Sequence, residues 1–126
     1  MARSYHVEIA QHAADADAKW VDNLLSHFNI PGVEGGRQGV ARRISLHGIY
    51  HVALIRRLTR GLTVSVDAAV SLARHLLTTD AEHLSLSGGL SLHLDRRVFE
   101  REVDAALAVA VESVAPARRG RPPLRR

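Results

Sequence analysis

The sequence predicts a mainly helical α+β fold, and three observations carry that expectation. Apolar residues recur at helical spacing in five separate stretches. A glycine-rich segment, GVEGGRQGVARRIS, leads into alternating residues, and HLSLSGGLSLHLD alternates leucine with serine or histidine about a pair of glycines. At 126 residues the chain is long enough for one core and too short for two independent ones.

The first helix is expected over Tyr5 to Ala13, where Val7, Ile9, Ala10 and Ala13 share a face. Ala14-Asp15-Ala16 leaves room only for a turn. Asp17 is a capping residue for a second helix whose apolar positions are Trp20, Val21, Leu24, Leu25 and Phe28. Two short helices joined by a tight turn make a helix-turn-helix, with the second as recognition helix. Its outer face would present Lys19, Asn23, Ser26 and His27, side chains suited to base edges and phosphates. Pro31 then stops the helix.

Val33 and Val40 flank a turn of Gly35, Gly36, Arg37, Gln38 and Gly39, and Val40, Arg42 and Ile44 alternate with Ala41 and Arg43. That pattern predicts a β-hairpin with a basic tip, a wing. Ser45 caps a third helix with an apolar stripe of Leu46, Ile49, Tyr50, Ala53, Leu54 and Leu58, ended by Gly61. Ser65 caps a fourth, in which Val66, Ala69, Val70, Ala73, Leu76 and Leu77 face inward.

Residues 79–114 look like a separate module after the winged unit of residues 4–78. A two-residue loop at Gly88-Gly89 would pair Leu86 with Ser91 and mix the two faces, whereas a three-residue loop, Ser87 to Gly89, pairs Leu86 with Leu90 and Leu84 with Leu92. The second register is expected. Asp95 caps a last helix in which Phe99, Val103, Ala106, Leu107, Ala110 and Val114 align, and packing that stripe on the leucine sheet is the economical arrangement. Small apolar residues continue around this helix, which offers a face for a second copy and hence a homodimer, or else cover for the winged unit. Residues 115–126 are expected to be a disordered basic tail. Within it Arg119-Gly120-Arg121-Pro122 resembles the core of an AT-hook, a peptide whose glycine lets the backbone reach the minor-groove floor while the arginines run along it.

Charge is segregated along the chain. Residues 35–66 hold six arginines and no acid, and five more arginines follow residue 115, within a net charge of +4. Such clustering suits a polyanion, because each cation set against a phosphate releases condensed counterions. The absence of cysteine excludes disulfide scaffolds, thiolate zinc sites and cysteine nucleophiles. His47 and His51, one helical turn apart on what should be an exposed face, lack a carboxylate at useful spacing, so no metal or other cofactor is expected. No nucleophile motif or phosphate-cradling loop appears, and the expectation is a non-enzyme. With no long apolar run and no signal-peptide pattern, the chain is expected to be cytoplasmic, associated with the nucleoid and not with a membrane.

The order helix, turn, helix, glycine-rich hairpin and two further helices resembles the winged-helix domain of the MerR (mercury-resistance regulator) family and its excisionase-like relatives. The resemblance covers about residues 5–78. It rests on Ile9-Ala10 in the first helix, Lys19-Trp20-Val21-Asp22-Asn23-Leu24-Leu25 as recognition helix, Phe28-Asn29-Ile30-Pro31 as its exit, and Leu62-Thr63-Val64-Ser65 at the place of the family's Leu-Gly-x-Ser segment. It implies double-stranded DNA as partner, contacted by Lys19, Asn23, Arg37, Gln38, Arg42 and Arg43, with His27 also on the reading face. The family's Arg-Tyr-Tyr element is replaced by Trp20 and Asn23, and its long coiled coil and cysteine effector site are missing, so metal sensing of the family's kind is not expected. A small bacterial transcriptional regulator is therefore the leading expectation. The alternatives are a nucleoid-associated architectural protein and an antitoxin- or adaptor-type interaction module.

Overall fold

A computed structural model describes residues 3–36, 39–79 and 82–119, with side chains to residue 113. The elements run β1 (Ser4–His6), α1 (Val7–Ala14), α2 (Ala18–His27), β2 (Val33–Glu34), β3 (Arg43–Ser45), α3 (Leu46–Gly61), α4 (Val66–Thr78), β4 (His83–Ser85), β5 (Ser91–His93) and α5 (Arg96–Arg119). The fold is α+β and mostly helical, with two small antiparallel sheets among the described residues.

Capping explains where the helices begin. Asp17 accepts from the Trp20 N–H at 2.8 Å, Ser45 from Gly48 at 3.2 Å, Ser65 from Ala68 at 3.2 Å and Asp95 from Val98 at 3.2 Å. Each bond occupies an N–H that a helix cannot satisfy internally, and each such cap contributes about 1 kcal/mol. All four are the capping residues expected from the sequence.

The turn between α1 and α2 is equally local. Asp15 takes left-handed backbone at φ 56°, while the Asp15 and Ala16 N–H groups donate back to the carbonyls of His12 (3.2 Å) and Gln11 (3.0 Å). This is the Schellman arrangement with aspartate where glycine is usual, and aspartate is one of the few residues that tolerate it. One residue, Ala16, then separates that end from the next cap.

The first sheet differs from expectation. Its order is β1-β3-β2, so the hairpin has a third strand, and Tyr5, placed by periodicity in the first helix, lies instead in β1 opposite Ile44. Val33 faces Ile44 from the other side, and Ile44 is fully buried between them. Pairing also stops earlier than the alternation implied: Val40, Ala41 and Arg42 lie outside β3, and Val40 is 56% exposed. The reason is coverage, since only Arg43–Ser45 have β1 alongside.

β3 runs directly into α3, and two glycines let the chain leaving α2 cross that junction. Gly32 has φ +87°, its carbonyl accepts from Ser45 N–H at 2.9 Å, and a Cβ there would stand 2.7 Å from the backbone nitrogen of Gly48. A Cβ on Gly48 would in turn meet Ile44 Cγ1 at 2.6 Å. No side chain fits at either place.

α1 lies against α3 and α5, α3 packs on α4, and their apolar residues form one cluster that includes Ile9, Val21, Ile44, Val52, Leu76 and Val103. The stripe Phe99, Val103, Leu107 and Ala110 of α5 belongs to this cluster through α1 and α3, so it covers the helical core instead of lying on the leucine hairpin. The hairpin leans on α4. Its register is His83↔His93, Leu84↔Leu92 and Ser85↔Ser91, with the Leu86 N–H donating to Leu90 at 2.7 Å across a Ser87–Gly89 turn, the three-residue loop expected from leucine alternation. α5 continues past Val114 to Arg119, five residues into the expected tail, in a run rich in alanine and arginine, both good helix formers. No described helix is long and apolar enough to cross a membrane.

Candidate nucleic-acid interface

α2 buries Val21, Leu24 and Leu25 and exposes Lys19, Asp22, Asn23, Ser26 and His27. At 100° per residue the exposed set forms one band: Asp22 and Ser26 along one edge, Lys19 and Asn23 in the middle, His27 toward the other edge. Each edge has a different neighbour. On the first, Arg42 reaches over from the root of the β2–β3 hairpin, donating from Nη1 to Asp22 Oδ1 at 2.8 Å and from Nη2 to Ser26 Oγ at 2.9 Å. On the second, Trp20, Asn23, Leu24, His27 and Phe28 border a groove of about 390 Å³ closed by Val66 of α4. The Nδ1–H of His27 donates to the Asn23 carbonyl at 2.8 Å, which turns its other ring nitrogen away from the backbone.

Of the expected contact residues, the structure thus brings Lys19, Asn23, His27 and Arg42 together. Arg43 goes elsewhere. Its guanidinium folds over β1, with Nη2 donating to the Ser4 carbonyl at 2.9 Å and Nη1 lying 3.0 Å from His6 Nε2. Arg37 and Gln38, and Gly120, Arg121 and Pro122, lie outside the described residues; Arg119 is the last residue of α5.

The acid-free arginine band does not become one uncompensated positive surface. Arg42 pairs with Asp22, Arg57 with Glu102 at 3.2 Å and Arg60 with Asp15 at 3.2 Å, while Arg56 lies over the Trp20 ring, 4.9 Å from its centroid. The acids come from stretches 20 to 45 residues away. Segregation along a chain is not segregation in space. Arg57 and Arg60 turn toward α5 and the α1–α2 turn, so that among the described residues Arg42 and Arg56 are the band members in contact with α2.

Asp22 and Arg74 escaped the sequence reading. Asp22 carried a signal, its spacing of three from Lys19 and four from Ser26, but Arg42 as partner is visible only in space. Arg74 on α4 donates to the Asn29 carbonyl at 2.7 Å and fastens the exit of α2.

The histidine pair also departs from expectation. His51 is 1% exposed, not on an open face; its ring meets His47 edge-on at 4.6 Å, and its Nδ1–H donates to the His47 carbonyl at 3.0 Å. Burial holds its pKa below the ordinary imidazole value; the His47 hydrogen bond pushes the other way, and the charges of His47 and Arg74 lower it further. Tyr50, beside it on α3, donates to Asp104 of α5 at 2.7 Å, and its phenol is held well above its usual value by burial first and by that carboxylate second. Among the described residues no group of three or more His, Asp or Glu stands close enough to hold a metal ion. No protein-family model, curated protein or solved structure matches the chain.

Proposed function

We propose that this chain binds double-stranded DNA as a winged helix-turn-helix protein similar to the MerR and excisionase-like regulators, with α2 in the major groove and the β2–β3 hairpin as its wing. The observation that carries the reading is the Arg42 bridge, which ties the hairpin root to the exposed edge of α2 and so sets the two reading elements of such a domain side by side. The polar band of Lys19, Asn23, Ser26 and His27 supplies donors and acceptors of the kinds that read base edges. Thr63 adds support. It holds left-handed backbone at φ 57°, at the position where the Leu-Gly-x-Ser segment has glycine, the residue that takes this conformation without strain.

Lys19 of α2 and Arg37, which the sequence assigns to the wing, are the phosphate-contacting cations on this reading, and residues 120–126 add a clamp. Selection from a random duplex library by the full chain should return a preferred sequence, with log affinity falling linearly in log salt. Lys19→Ala should weaken all duplexes alike and reduce that slope by about one. A chain that retains no duplex at about 50 mM salt defeats the proposal.

A second reading, the interaction module, is favoured by one observation. Val98 and Val109 on α5 and Leu86 and Leu90 on the hairpin tip are 43%, 65%, 42% and 65% exposed. On that reading the chain self-associates through α5 and retains no duplex, and Val109→Glu lowers its mass in solution.

A further inference from the structure

A carboxylate on a helix that faces a polyanion repels it, and Asp22 stands in the exposed band of α2. Three features set it apart from an incidental surface acid. It is held: one planar guanidinium spans Asp22 Oδ1 and, a turn further on, Ser26 Oγ, so both side chains are fixed by a single fork. Its charge is offset where it is held, because the Arg42 side chain is only 23% exposed and lies down on the helix, while that of Asp22 is 67% exposed and stands out from it. And one acceptor is left over: among the described residues Oδ2 bonds nothing.

We infer that Asp22 reads a base, taking a hydrogen bond from the N4 amino group of a cytosine on its free oxygen while Arg42 holds and neutralises it. This rests on the DNA-binding reading above. The chemistry selects the base. A carboxylate offers only acceptors, the major-groove edge of cytosine offers the N4 donor, and adenine sets an N7 acceptor beside its amino group, where a second carboxylate oxygen is repelled. Ser26 complements the arrangement: its oxygen accepts from Arg42, leaving its own proton to donate. Arg42 is then a positioning residue, not a phosphate contact.

The test is selection from random duplexes with the full chain, comparing wild type with Asp22→Asn, Asp22→Ala, Arg42→Ala and Arg42→Lys. Wild type should show one cytosine position that Asp22→Ala relaxes by roughly fivefold to a hundredfold, the range of a single base contact, with other positions unchanged. Asp22→Asn should move that position toward adenine, which an amide reads through N6 and N7. Arg42→Ala should relax the same position, and Arg42→Lys should fail to rescue it, because an ammonium keeps the charge and lacks the fork. If Asp22→Ala binds every duplex more tightly with its preferences intact, Asp22 is a repulsive bystander and the inference falls while DNA binding stands. A wild-type chain that selects no duplex overturns both. Melting temperatures of the four variants within a few degrees of wild type separate misfolding from lost reading.

Discussion

The two hairpins begin from similar sequence signals and end in different states. Both place alternating residues beside a glycine-rich turn, yet the β2–β3 hairpin gains β1 as a third strand and buries Ile44 completely, whereas β4–β5 stays two-stranded. In the second, Leu84 and Leu92 are half-buried and Leu86 and Leu90 are exposed. The difference lies in what each hairpin joins. β3 continues into α3 without a linking residue, so its central side chain enters the helical core; among the described residues β4 leans on α4, and Leu84 and Leu92 reach the core cluster from its margin. A hairpin becomes a rigid platform when its neighbours bury one of its strands, and for this reason Arg42, next to β3, holds a defined position over α2.

Single substitutions can sharpen this contrast. Ile44→Ala should cost about 2–5 kcal/mol of unfolding free energy in a urea titration, the range for a fully buried aliphatic side chain. Leu92→Ala, half-buried, should cost clearly less. Equal losses would mean that the second hairpin is as deeply anchored as the first. The glycines give the next largest contrast: Gly32→Ala combines left-handed backbone with a Cβ against Gly48 and should cost about 2 kcal/mol or more, while Gly88→Ala at φ +75°, with open space around it, should cost about 1 kcal/mol from the backbone alone. The smallest effect is graded. His51 is neutral in the folded chain because burial lowers its pKa, so the unfolded chain takes up the proton first. Stability should be full above about pH 6.5 and decline as pH falls from there through the lowered folded value. His51→Leu should flatten that part of the pH profile of thermal unfolding, and an unchanged profile would show that His51 does not set it.

The features legible from the chain alone are those closed by bonds a few residues long. Asp17, Ser45, Ser65 and Asp95 each cap the helix that starts beside them, and the register of β4 on β5 follows from leucine alternation about one turn. Tertiary structure decided the rest. Ser4–His6 has too few residues to show a period and becomes a strand only because Ile44 needs a neighbour on that side. The stripe of α5 was legible as apolar, but its partner was not, since α1 and the leucine hairpin present similar faces and only the assembled core selects between them. On the candidate site, Lys19, Asn23 and His27 could be read from helical spacing, because a helix fixes its own outer face. The direction of Arg42 and Arg43, consecutive residues that end on α2 and on β1, could not, because a long cation goes to whichever acceptors the fold brings within reach, and those lie 16 to 39 residues away.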